Sequence, residues 1–176
     1  MPAAHAHDLR WIDETRMLEV NGIPRSTFAG WSRAGLVEPD PGGAYSESAA
    51  AEVALLAELR AHHSLQDLST LWLRMRAAGD VEELVARAQA LAANGRCDLV
   101  VELKHGGISV AGDDAELAAT IRSAGPPRPL VVIDIAPRMQ LVRESFDRWA
   151  TVGRRPTERR VGRPPRRVAE VRELRR

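Results

Sequence analysis

The sequence predicts an α+β protein: helices through the N-terminal half, then a small ββαβα unit, then a basic tail. Three observations predict it. Apolar residues recur at helical spacing from Trp11 to about Ala93. Beyond that the pattern shifts to the short apolar runs of strands: Leu99-Val-Val-Glu-Leu103, Ile108-Ser-Val110 and Leu130-Val-Val-Ile-Asp-Ile135. The charge is also segregated. Residues 154–176 carry ten Arg against Glu158, Glu170 and Glu173, a net of +7, and since the 176-residue chain is +1 overall, residues 1–153 sum to −6.

Taken in order, residues 1–8 read as a leader without fixed structure. Trp11, Ile12, Met17, Leu18 and Val20 give a first helix, stopped by Asn21-Gly22. Ile23-Pro24 opens a second, short helix running to about Arg33 and closed by Ala34-Gly35, because Pro suits a first helical turn. Leu36-Val37 and Ala44-Tyr45-Ser46 flank a Pro/Gly-rich loop and predict a small hairpin. Ser46-Glu47 begins a third helix, with Val53, Leu55, Leu56 and Leu59 on its apolar side, ending near His62-His63. A fourth runs from Leu65 to Ala78 and stops at Gly79. A fifth runs from Val81 to Ala93 and stops at Asn94-Gly95.

The two strands flanking His105-Gly106-Gly107 predict a hairpin. Asp113-Asp114 caps a helix through about Ser123, broken by Gly125-Pro-Pro-Arg-Pro129. The six-residue run 130–135 predicts a buried strand, and Pro137 opens a last helix to about Ala150. The expected segments are a DNA-binding domain at 9–78, a connecting helix at 79–96, a small α/β domain at 97–152 and the Arg-rich tail at 153–176.

Several classes of function drop out. Cys97 is the single Cys, which excludes an internal disulfide and every multi-Cys metal or redox motif. No run of about 18 apolar residues exists to span a membrane, and MPAAHAHDLR lacks the features of a signal peptide. There is no phosphate loop, G-x-G-x-x-G, G-x-S-x-G or H-E-x-x-H. Glu102-Leu-Lys104, with Asp98 and Asp113, has the E-x-K spacing of metal-dependent nucleases, but that chemistry needs a further acid on a neighbouring strand. His5, His7, His62, His63 and His105 share no ligand spacing. The expectation is a cytoplasmic, nucleoid-associated protein with no enzymatic activity, cofactor or metal.

A helix, a tight turn containing Gly and a second short helix form a DNA-reading unit, with the second helix in the major groove. Here the turn is Val20-Asn-Gly-Ile-Pro24, and the second helix carries Arg25, Ser26, Thr27, Trp31 and Arg33. Guanidinium groups read guanine or phosphate, and hydroxyls at a helix N-terminus hold phosphate. The predicted hairpin with Tyr45 would lie on the adjacent backbone.

From Ile12 to Leu71 the chain resembles the MerR family of bacterial transcription regulators. The landmarks are GIPRSTFAGWSRAGLVEP, then GGAYSESAAAEVALLAELR, then SLQDLSTL. The resemblance implies a winged helix-turn-helix that binds double-stranded DNA. The family's recognition helix commonly continues T-L-R-Y-Y, where this chain has Thr27-Phe28-Ala29-Gly30-Trp31, and the family's long dimerisation helix and metal-sensing Cys pair are absent.

The tail run Arg159-Arg-Val-Gly-Arg-Pro-Pro-Arg-Arg167 resembles an AT-hook. A Gly-Arg-Pro run is extended and narrow enough for an A·T-rich minor groove. Gly162, Arg163 and Pro164 form the core, with Arg160, Arg166 and Arg167 around it and Val161 where the first core Arg would stand.

Together these residues point to a sequence-specific DNA-binding regulator, with an excisionase-like or nucleoid-type architectural factor as the alternative on DNA. A protein-interaction adaptor with a degenerate helix-turn-helix is the alternative off DNA. The α/β unit is expected to bind an effector, a protein partner, a second copy of the chain or DNA. Arg138, Arg143 and Arg148 favour DNA, and Asp113, Asp114 and Glu116 favour a protein.

Overall fold

Asp13 decides where the first helix begins. Its side chain accepts from Arg16 N at 2.8 Å, so α1 spans Glu14–Asn21. The residues before it, Arg10–Asp13, form strand β1 rather than the helical turn expected from Trp11 onwards. In this computed structural model the described residues are 10–38, 42–102, 107–124 and 129–152, so the leader and the tail lie outside them. The chain is mixed helix and sheet, as expected. After α1 come α2 (Arg25–Arg33), β2 (Ala44–Tyr45), α3 (Glu47–Arg60), α4 (Leu65–Ala78) and α5 (Asp80–Ala93). The second half holds β3 (Asp98–Glu102), β4 (Ile108–Ala111), α6 (Asp114–Ser123), β5 (Leu130–Asp134), α7 (Ala136–Trp149) and β6 (Thr151–Val152).

The strands form two small antiparallel sheets, ordered β2-β1-β6 and β4-β3-β5. The expected hairpin between Leu36-Val37 and Ala44-Tyr45 does not form. Leu36 and Val37 are buried in irregular backbone, while Tyr45 pairs with Ile12 and Ala44 with Asp13. A backbone that must bury two apolar side chains immediately after a helix turns inward, and the extended Trp11-Ile12 segment takes the ladder instead.

Strand β3 fills the middle of the second sheet. Leu99 and Val101 pair with Val110 and Ile108 on one side and with Ile133 and Val131 on the other. Strand β5 was expected to be buried. It is an edge strand, and Val132 on it is 43% exposed. A continuous apolar run suits burial on both faces, but here only the face carrying Val131 and Ile133 meets the core.

One hydrophobic cluster runs through both halves of the chain, so packing does not stop at Gly95. It joins Leu55, Leu59, Trp72 and Val85 to Leu99, Val101, Val142 and Phe146. Helix α7 closes it by returning across α5, α3 and α1. Arg138 on α7 fastens the return: its Nε and Nη2 both reach Glu58 Oε1 at 3.1 Å, and Nη1 donates to Asn21 O at 3.3 Å. No helix among the described residues is long and apolar enough to cross a membrane.

Candidate nucleic-acid interface

The turn between α1 and α2 is built by glycine and closed by backbone bonds. Gly22 adopts φ 61°, in the left-handed region, and its N–H donates to Glu19 O while Ile23 N donates to Leu18 O. Asn21 is buried behind the turn, its amide donating to Met17 O at 3.0 Å and to Ala50 O at 3.3 Å. The far end of α2 repeats the device. Gly35 sits at φ 73°, with Gly35 N on Ser32 O and Leu36 N on Trp31 O. Both ends of the short helix are therefore fixed by left-handed glycines just outside it.

What α2 presents divides cleanly by burial. Phe28 and Trp31 are 3% and 4% exposed, and Phe28 stands edge-on to Tyr45 with ring centroids 6.0 Å apart. Trp31 and Tyr45 were expected to contact DNA, but their side chains pack in the core and hold the helix in place. Burial, with the charge of Glu14 second, raises the Tyr45 phenol from 10.0 to about 12. Arg25, Ser26, Thr27, Ala29 and Arg33 face outward.

No side chain caps the start of α2, because Pro24 stands there; the first-turn amides therefore open towards solvent beside the Ser26 and Thr27 hydroxyls. Arg25 is partly engaged: its Nε lies 3.4 Å from Glu14 Oε1, and Nη2 donates to Thr15 Oγ1 at 3.3 Å. Arg33 turns back on its own helix, donating from Nε to Ala29 O at 3.2 Å.

The residues that brace this unit carried no signal in the sequence pass. Arg76 on α4 donates to Leu36 O at 2.9 Å and pairs with Glu52 on α3, which also accepts from Trp72 Nε1 at 3.1 Å. A carboxylate thus ties α3 to α4 while the guanidinium holds the segment leaving α2. An acid and an Arg 24 positions apart in sequence mark nothing by spacing alone.

Electrostatics near α2 are balanced. Between residues 10 and 38 four Arg (Arg10, Arg16, Arg25, Arg33) face four acids (Asp13, Glu14, Glu19, Glu38). Arg138 is internally paired, as above, and so leaves the set of Arg on α7 open to a partner. Arg148 stacks on Trp149 at 5.3 Å, with Arg16 on the same ring at 5.2 Å. The tail residues Arg160, Gly162, Arg163, Pro164, Arg166 and Arg167 lie outside the described residues.

The other nominated chemistry is placed as follows. Asp134 stands opposite Asp98 on the neighbouring strand. Asp98, however, is buried and neutralised by Arg96 at 2.8 Å, and Arg96 also reaches Asp114 at 2.7 Å. No group of three His, Cys, Asp or Glu able to hold a metal occurs among the described residues. Cys97 is buried, and burial, followed by the charges of Asp98 and Asp134, pushes its thiol up to about 12. The largest concavity, about 710 Å³, lies away from α2, between α4–α5 and β4, lined by Arg74, Met75, Leu84 and Val110 among others. No protein-family model matches the chain, and no curated protein matches it.

Proposed function

We propose that this chain is a DNA-binding regulator of the MerR-like helix-turn-helix kind, with α2 entering the major groove and the tail adding minor-groove and backbone contacts. One observation carries the reading. Helix α2 is anchored from behind by Phe28 and Trp31 while its uncapped N-terminus displays Arg25, Ser26 and Thr27. Open amides, hydroxyls and a guanidinium at one helix end form a phosphate- and base-reading set. Since residues 10–38 are charge-balanced, most of the affinity falls to the +7 tail.

The test is selection from a random duplex pool, followed by a salt series on the selected site. Full-length protein is expected to select a site. The Arg25→Ala/Thr27→Ala double variant is expected to keep salt-dependent binding but lose selection. Truncation after Val152 is expected to lower the salt slope by several units, roughly one per lost phosphate contact. Tight, unchanged selection by the double variant overturns the role of α2.

The Arg25–Glu14 contact favours a second reading, a protein-interaction adaptor, because a recognition guanidinium held by an acid is partly withdrawn from phosphate. Absence of DNA binding by the full chain would establish that reading over the first.

A further inference from the structure

Strand β5 is the most exposed apolar edge among the described residues. One of its flanks pairs with β3, and no strand covers the other. Its five residues, Leu130-Val-Val-Ile-Asp134, include no Pro, Lys or bulge, the usual guards against edge-to-edge pairing. Above it the surface is also apolar. Val132 is 43% exposed and Ile121 on α6 is 42% exposed, and α6 has no buried residue.

We propose that β5 pairs antiparallel with β5 of a second copy about a two-fold axis at Val132, giving one sheet ordered β4-β3-β5-β5-β3-β4. In that register Val132 meets Val132, Val131 meets Ile133 and Leu130 meets Asp134. Residues 131 and 133, which face the helices, stay on the helix side in both copies, so the pleats of the two sheets agree.

Charge selects a second copy over a foreign strand. β4 and β5 both run antiparallel to β3, so they run parallel to each other. Helix α6 carries the chain from the end of β4 to the start of β5, which puts its last turn, with Arg122, towards the Leu130 end. Asp134 is at the opposite end of the strand. Within one chain the two are apart, but the two-fold axis brings Arg122 of each copy to the side of Asp134 of the other. Both are exposed, and neither is in an ion pair among the described residues. The contact would thus be sealed by two equivalent Arg–Asp pairs around an apolar centre.

Sedimentation of the full chain from about 1 to about 100 µM, the range suited to a short interface, tests this. A monomer–dimer equilibrium is expected. Val132→Lys, which disturbs no internal hydrogen bond, is expected to weaken it at least about tenfold with an unchanged melting temperature. Arg122→Asp and Asp134→Arg are each expected to weaken it, and the double exchange Arg122→Asp/Asp134→Arg to restore it to within about threefold. Asp134 also accepts from Ala136 N at 3.0 Å, so should its variants fail to fold, Val132→Lys decides alone. A chain that stays monomeric throughout, a dimer indifferent to Val132→Lys, or a folded double exchange that stays weak overturns the proposal.

Discussion

Helices α3 and α6 start in the same way and end up held by different forces. Ser46 accepts from Ala49 N at the head of α3, and Asp113 accepts from Glu116 N at the head of α6. From there they diverge. Seven residues of α3 are buried, including Leu55, Leu56 and Leu59 at 0% exposure, while α6 has none. What keeps α6 in place is mostly one side chain. Glu116 accepts from Gly112 N at 2.8 Å through Oε2 and pairs with Arg87 at 3.1 Å through Oε1. A cap decides where a helix begins; burial decides how hard it is to remove.

The contrast can be broken at the centre or at the edge. Trp72, fully buried against α3, carries the largest expected effect: Trp72→Ala should cost about 3–5 kcal/mol in urea unfolding, with amide protection lost throughout α3. Glu116→Ala acts at the edge. It should cost about 1 kcal/mol and speed hydrogen exchange in residues 114–123 severalfold, leaving α3 unchanged. If both helices accelerated together, the separation of core and edge would be wrong.

Tyr45→Phe should produce the smallest change and the clearest pH signature. The buried hydroxyl has no hydrogen-bond partner, so its removal should be neutral or stabilising by under about 1 kcal/mol. With the folded pKa raised from 10.0 to about 12, the unfolded chain releases the phenolic proton first. The stability that Tyr45 contributes is therefore complete below pH 10 and lost as pH rises towards 12. Thermal melts across that window should show wild type falling more steeply than Tyr45→Phe.

Helices with dense apolar periodicity and glycine stops were readable to within a residue or two. Leu65–Ala78 is one, and Gly79 at φ 83° closes it as its position in the sequence implied. The short extended pieces were not. Nothing local distinguishes Trp11-Ile12 as a strand from the first turn of a helix, because the deciding partners, Tyr45 and Thr151, are remote. Likewise Leu130–Asp134 reads as a buried strand by composition, and only the sheet order shows that one flank lacks a neighbour. In the candidate interface, Arg25, Ser26 and Thr27 were nominated by the turn that precedes them and do face outward. Trp31 and Tyr45 were nominated by residue type, and large aromatics on short elements serve packing as readily as contact.

The pairing of β1 with β6 places Arg10 directly opposite Val152. Head and foot of the described fold are hydrogen-bonded neighbours, so a short linker between them would span little distance. A circular permutant reopened at the Asn94-Gly95 turn, where Gly95 has φ 92°, would keep every helix and both sheets intact. It would also detach the Arg-rich segment from its present root beside Arg10, allowing that segment to be moved across the molecule without altering a single side chain of the body.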